Sequence, residues 1–417
     1  MNTESIMKTT AATSGDFRSW FMGKLLMGMT RPDYFRSLIT PFNMAAAIIL
    51  SVGLPILALR FYYGLAFATH ASNEYPWGLY LGWGLFGGVP LSATGFIMAT
   101  AYYIFGFKKY HPLLRLGVLT GFLGYLFAVI YLLVDLGRPW RIYYPMMIGF
   151  GTQSVLFLVA WQVATYLTVQ FVEFSPAILE WLRSHRVRRW AVMLTIGMTI
   201  AGIILSTLHQ SALGAMYLLV PGKLHPLWYS SYIPVLFLCS SIYAALAMVI
   251  MVSTLSIHFL KDRTDQTFRD SLPKLTLGLG QGAAVGMYVY FVFKLIAIAH
   301  DNNWHLLTAG GYGSWFLLEL LGFVLVPALL FTYGVKKQNV GVVRFAGFYA
   351  VVGIVLNRIN VSIIALNWNL PHHLEHIIPP WTEAMAVLSI ATIHILLFRW
   401  ILNRMPVLHA DPDYAAH

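Results

Sequence analysis

Ten apolar runs constrain this chain more than any other feature of its sequence. They cover residues 43–68, 78–107, 112–136, 146–172, 190–216, 229–260, 275–299, 313–333, 341–366 and 381–401, with at most two charged residues in each. At about 1.5 Å of rise per residue, each is long enough as a helix to cross a hydrocarbon core of about 30 Å. A closed β-barrel is the only other spanning architecture, and it needs period-two alternation that these runs lack. Only 10% of the residues are charged, against about 25% in a soluble domain. The expected fold is an all-α integral membrane protein of about ten transmembrane helices.

The connections fix an orientation. Lysine and arginine gather in the N-terminal segment, in every even-numbered connection and at the C-terminal end, whereas the opposite side holds only Arg138, Arg141 and Lys223. The positive-inside rule then predicts a multi-pass protein of the bacterial inner (cytoplasmic) membrane with both termini cytoplasmic. The same asymmetry accounts for the net charge of +11 without nucleic acid as a partner. No signal-peptide core precedes the first run, so that run is expected to act as an uncleaved signal anchor. Aromatic and basic residues interleave over 16–40, which fits an interfacial helix or a solvated tail.

Redox cofactors are bounded by ligand counts. The single cysteine, Cys239, excludes an iron–sulfur cluster and an intrachain disulfide, and there is no C-x-x-C-H. His209 near one side of the membrane and His394 in the other half do not share a depth, so no haem b is expected. The HHLEH run, His372 to His376, lacks the helical H-E-x-x-H order, so no metal site is expected there.

Polar residues within or beside the runs are candidates for chemistry. His209 and Gln210 close a long apolar run among small residues. A histidine there suits a hydrogen bond to a quinone carbonyl and proton exchange. Asp135 and Arg138 sit at a helix end, either pairing with each other or lining a pocket. Glu74 and Trp77 lie in the preceding outer loop, where Trp77 either belongs to the interfacial belt or stacks on a ring. Arg60, Lys294, Glu319 and Arg358 fall within spans, all in the outer half, either as a buried ion pair or as groups that tune a pocket or transfer protons. The inner half is nearly featureless apart from His394, with Thr195 and Thr199 as sparse relay candidates. Quinone protons are therefore expected to exchange with the outer side. An internal echo, LSTLHQS at 205–211 against LNRINVS at 356–362, puts His209 in register with Asn360 and suggests two similar four-helix bundles.

Six stretches in order carry a family resemblance: YPWGLYLGW at 75–83, DLGRPWR at 135–141, STLHQSALG at 206–214, LLELLGFVLVP at 317–327, VLNRINVSII at 355–364 and IPPWTEAMAVLSI at 378–390. The chain resembles the NrfD/PsrC superfamily of membrane quinone-interacting subunits, nearest the HybB type, which also occurs in quinone reductase complexes of sulfate reducers. The resemblance implies two four-helix bundles flanked by one helix at each end. The expected division is 1–42 as a cytoplasmic segment, 43–77 as the first helix and outer loop, 78–228 and 229–380 as the bundles, and 381–417 as the last helix and tail. It implies menaquinone as an exchangeable substrate, and no haem or iron–sulfur cluster within this chain. It further implies an outer-face ferredoxin-like iron–sulfur partner and periplasmic redox subunits of the hydrogenase, molybdopterin or multihaem cytochrome kind.

The expected function is electron exchange between that partner and the quinone pool, with proton transfer, the chain being inactive alone. His209, Asp135 and Glu74 are the expected catalytic residues. Gln210, Trp77, Arg138 and Asn360 join His209 in binding quinone, while Glu319, Arg358, Lys294 and Arg60 tune the pocket or move protons. A secondary transporter and a cofactor-free anchor are the rival readings.

Overall fold

The computed structural model describes residues 17–374 and 377–409. Ten helices in it are long and apolar enough to cross a membrane, in agreement with the sequence. They are α1 (Pro41–Tyr63), α2 (Tyr80–Ile104), α3 (Lys108–Asp135), α4 (Val155–Trp181), α5 (His185–Leu219), α6 (Ile233–Phe259), α7 (Gln266–His300), α8 (Gly310–Lys336), α9 (Val340–Ile364) and α10 (Trp381–Arg404).

The first fifty residues form a unit of their own. In its described part, helices Phe17–Leu25 and Arg31–Ser37 precede the start of α1, and the Thr30 side chain caps the second by accepting from the Asp33 amide. Phe35 is exposed beside the arginines of that second helix.

In the unit from residue 51 onward, α2 to α5 pack in a closed ring of neighbours, α2 on α3, α3 on α4, α4 on α5 and α5 on α2. Helices α6 to α9 close a second ring in the same order. The rings meet along α2 and α5 on one side and α6 and α9 on the other, and α10 lies against α2 and α3. Small residues permit the closest crossings: a Cβ on Gly214 of α5 would lie 2.7 Å from the Ile233 carbonyl oxygen of α6. Helix α5 shows why these runs pack as they do. Ile196, Ile200, Ile204 and Leu208 recur every four residues as an exposed stripe suited to lipid. Thr199, Gly202, Ser206, His209 and Gln210 form the buried stripe behind it.

Helix α4 departs from the sequence expectation. The run at 146–172 is displaced to Val155–Trp181. A short turn, Tyr144–Met147, stops at Gly149 and Gly151, and Ser154 then caps α4 by accepting from the Phe157 amide. At the other end Pro176 does not stop the helix. It deprives the Val172 carbonyl of its usual donor, and the Ser175 hydroxyl supplies another at 2.7 Å. The helix therefore carries Glu173 and Glu180 inside the half expected to be featureless. Glu180, fully buried, accepts from Arg115 of α3 (2.7 and 2.8 Å) and from Arg188 of α5 (2.9 Å).

Four stretches are π-helical among the described residues: Tyr80–Gly87, Thr100–Ile104, Leu318–Leu325 around Glu319, and Asn360–Ile364. Such widened turns are frequent at functional sites. At the helix ends away from the lysines and arginines, the loops are stitched together. His225 donates its amide to Ala365 (2.9 Å), and the Asn367 side chain donates to the Glu74 carbonyl.

Candidate functional site

The candidate residues separate into three polar centres. The first is inside the α2–α5 ring. His209 is fully buried, well before the end of α5, rather than at the surface where the sequence suggested. Neither ring nitrogen has a hydrogen-bond partner among the described residues. The imidazole lies beside Tyr125 of α3, with ring centroids 5.6 Å apart. Gln210 donates to the Val89 carbonyl at 3.0 Å and reaches the Tyr125 hydroxyl at 3.5 Å. Tyr125 and Tyr166 meet edge to face at 4.6 Å, and both hydroxyls approach Ser206 without completing a bond to its Oγ. Gln170 donates to the Tyr166 hydroxyl at 2.9 Å. Ser206 Oγ, Gln170 Oε1 and Gln210 Oε1 are buried without partners. Leaving one such atom unsatisfied costs about 1–3 kcal/mol.

The second centre is inside the α6–α9 ring, and its bonds are nearly complete. Glu319 accepts from Trp228 Nε1 (2.8 Å), Asn357 Nδ2 (2.6 Å) and Asn360 Nδ2. Arg358 donates to Asn357 Oδ1 (2.7 Å) and Ser240 Oγ (2.5 Å), and its guanidinium lies 3.7 Å from the Phe237 ring centroid. Asn357 thus bridges Glu319 and Arg358. Among the described residues no direct ion pair joins Glu319 to Arg358, Lys294 or Arg60. Lys294 sits over the Phe316 ring at 5.4 Å. Asn360 belongs here, where it also accepts from Trp315 (3.0 Å). The echo in the sequence has a spatial counterpart. Ser206, three residues before His209, faces Tyr125, and Asn357, three before Asn360, donates to Tyr290 at 3.4 Å.

The third centre lies among α1, α2, α3 and α10. Arg60 donates to the Leu136 carbonyl at 2.5 Å and interacts electrostatically with Asp135 and Tyr80. Glu383 of α10, which the sequence reading did not single out, accepts from the Leu79 and Tyr80 amides at 2.6 and 3.3 Å. Asp135 is therefore near Arg60 and not beside His209, whose neighbour Tyr125 lies ten residues back along α3. No ion pair joins Asp135 to Arg138 among the described residues, and Arg138 is exposed. Glu74 is exposed too. Its hydrogen bonds with its own backbone amide and with Ser72, and the nearby Lys223, hold its carboxyl below the usual range. Trp77 packs between Phe86 and Tyr217 at 5.4 and 5.3 Å.

Trp228, Asn357 and Ser240 were also missed. Trp228 comes from the loop between α5 and α6, where only its place after His225-Pro226 hinted at use. His225 in that loop is buried, stacked on Tyr312 at 4.8 Å and edge-on to Trp228 and Trp368. Burial pushes its imidazole down to about 4 from an ordinary value of 6.5. The unfolded chain takes up that proton first, so the stability from this loop is complete above about 6.5 and is lost as pH falls toward 4. Heat unfolding in detergent should therefore begin at a lower temperature at pH 5 than at pH 7, and His225→Phe should flatten the difference. An unchanged pH profile in that variant would exonerate His225. Glu375 and His376 of the HHLEH run lie outside the described residues, and no metal-binding cluster occurs among the described ones.

The chain matches the family model described as "Polysulphide reductase, NrfD" over residues 67–367. It is 45% identical over 379 residues to a protein of Nitratidesulfovibrio vulgaris (strain Hildenborough), covering 91% of this chain and 97% of that one. It is 25% identical over 359 residues to the probable Ni/Fe-hydrogenase 2 b-type cytochrome subunit of Escherichia coli K12, covering 85% and 88%. It is also 25% identical over 356 residues to the integral membrane subunit of the Nitratidesulfovibrio vulgaris menaquinone reductase, covering 78% and 82%. The words "b-type cytochrome" in one of those names imply a haem, and the residues here do not fit one held between His209 and His394. His209 lies beside Tyr125, whereas His394 stacks on Phe127 at 4.3 Å. Two positions along a helix turn the side chain by about 200°, so α3 stands between the imidazoles. The ten spans and the match across most of their length agree: the chain is a multi-pass membrane protein of the NrfD family.

Proposed function

We propose that this chain is the quinone-reactive membrane subunit of a respiratory redox complex, passing electrons between an outer-face iron–sulfur partner and menaquinone. The partner class, the quinone and the orientation with both termini cytoplasmic rest on the family and on the charge asymmetry of the loops. One observation carries the reading: His209 is enclosed beside Tyr125 with neither ring nitrogen hydrogen-bonded among the described residues. A neutral imidazole has one N–H to donate and one lone pair to accept. His209 would donate to a quinone carbonyl oxygen, with the Gln210, Tyr125 and Ser206 oxygens within the same polar interior. Quinone reduction takes up two electrons and two protons, and this side-chain set holds the proton that the oxygen receives. Asp135, Glu74 and Arg138 stand apart from it. The proposed site therefore centres on His209, with the Glu319 network tuning the neighbouring ring.

A photoreactive naphthoquinone tests the assignment on the complete complex. Label competed away by menaquinone is expected on the peptides holding His209 and Tyr125. Competed label confined to other helices would refute the His209 site.

A further inference from the structure

We infer that a crevice between α6 and α7, at their ends away from the lysine- and arginine-rich loops, binds a singly charged phosphate group through Lys294 and Ser230. The crevice is lined by the loop 226–230, by Leu236 of α6 and by Lys294, Ala297 and Ile298 of α7. Lys294 lies six residues before the His300 end of α7, about 9 Å into the helix. The loop that walls the crevice is pinned from two sides. Trp228 Nε1 donates to Glu319 at 2.8 Å, and Asn303 donates to the Pro226 carbonyl at 3.2 Å.

The charges of this ring do not balance. Those buried in α6 to α9 are Lys294, Arg358 and Glu319, two cations against one anion. Arg358 is held by Asn357, Ser240 and the Phe237 ring. Both Glu319 oxygens already accept, one from Asn357 and the other from Trp228 and Asn360. Lys294 interacts electrostatically with Glu319 and Arg358, yet it has no hydrogen bond and no ion pair among the described residues. Only 5% of it is exposed. The Phe316 ring at 5.4 Å does not replace a counter-ion, and a buried charge is costly without one.

An ammonium offers three donors and no acceptor, so its complement is an anion. Ser230 is buried as well, and it accepts from the Tyr232 amide at 3.3 Å. Its own hydrogen is left for a second oxygen of the same group. One negative charge spread over oxygens suits these two donors. Next to the lining residues Leu236 and Ala297, Val235 and Ile296 are exposed and suited to lipid. An anionic phospholipid can place its phosphate on Lys294 while its chains run along those side chains, as basic pockets between membrane helices hold anionic headgroups. Inorganic phosphate is the other source of the same chemistry.

The complete complex, purified in detergent and washed free of lipid, tests this through the melting curve of this chain, read by immunoblot of the soluble fraction. Phosphatidylglycerol should raise the melting temperature saturably, by about 4 °C at a hundredfold excess over its midpoint, and phosphatidylcholine should not. Lys294→Met should abolish the shift and Lys294→Arg should keep it. Ser230→Ala should raise the midpoint concentration about tenfold, and serves if Lys294→Met does not assemble. A shift with phosphatidylglycerol but not with inorganic phosphate identifies the occupant as a lipid headgroup, and a shift with both shows that free phosphate suffices. No shift with either in the unaltered complex, or an equal one from phosphatidylcholine, would overturn the site. So would an unchanged midpoint in Lys294→Met or, where that variant does not assemble, in Ser230→Ala.

Discussion

Truncating Glu319 to alanine is expected to lower the amount of folded protein in the membrane severalfold and to reduce its heat stability in detergent. The carboxylate is the common acceptor for Trp228, Asn357 and Asn360, all within a sealed helical interior. Alanine would strand three donors at once and cut the bridge that Asn357 makes between this carboxylate and Arg358. Removing one member of a buried, hydrogen-bonded charge network costs about 3–5 kcal/mol, a large fraction of a domain's net stability. Glu319→Gln should fall between, because its amide oxygen still accepts but its NH₂ meets other donors. Membrane abundance by immunoblot and a detergent melting curve decide the matter. Wild-type values for Glu319→Ala would mean that the network holds nothing together.

His209→Ala should do the reverse, removing activity and sparing assembly. The imidazole makes no hydrogen bond among the described residues, so its loss strands no partner there. General acid–base groups contribute about 10²–10⁴-fold to rate, and quinone-linked turnover of the complex should drop by that order. Partial recovery on adding free imidazole would tie the loss to the missing ring rather than to altered packing. Normal quinone turnover in His209→Ala would remove the residue from the chemistry.

How much of this was readable in advance varies by level. The ten helices and their order follow from hydropathy alone, because lipid imposes a length and forbids an open backbone. The start of α4 was lost because Gly149 and Gly151 interrupt an apolar run while lowering its hydropathy little. Its end was lost because a serine one residue before Pro176 repairs the break. That error hid a legible signal: Gln162, Tyr166, Gln170 and Glu173 are spaced four, four and three residues apart, one polar stripe on one helix. The division into three centres was not legible at all. Depth can be counted along a helix, but nothing in one sequence says which helix stands opposite. His209, Asp135 and Asn360 therefore looked like neighbours, and Arg60 looked like a partner of Glu319. Glu383 and Trp228 escaped for the same reason, since each acts across helices far apart in sequence.

The carboxylate of Glu180 receives Arg115 from α3 and Arg188 from α5, so three helices of one ring are riveted at a single level near their basic ends. Members joined at one end behave like tongs: the same small rotation moves them most at the far end. His209 is twenty-one residues along α5 from Arg188, about 32 Å from the rivet. A tilt of about 5° there shifts the helix beside His209 by about 3 Å on that lever arm, close to the thickness of one aromatic ring. Admitting a flat molecule to so tightly closed an interior thus calls for a slight splaying of helices, with every hydrogen bond along their axes kept.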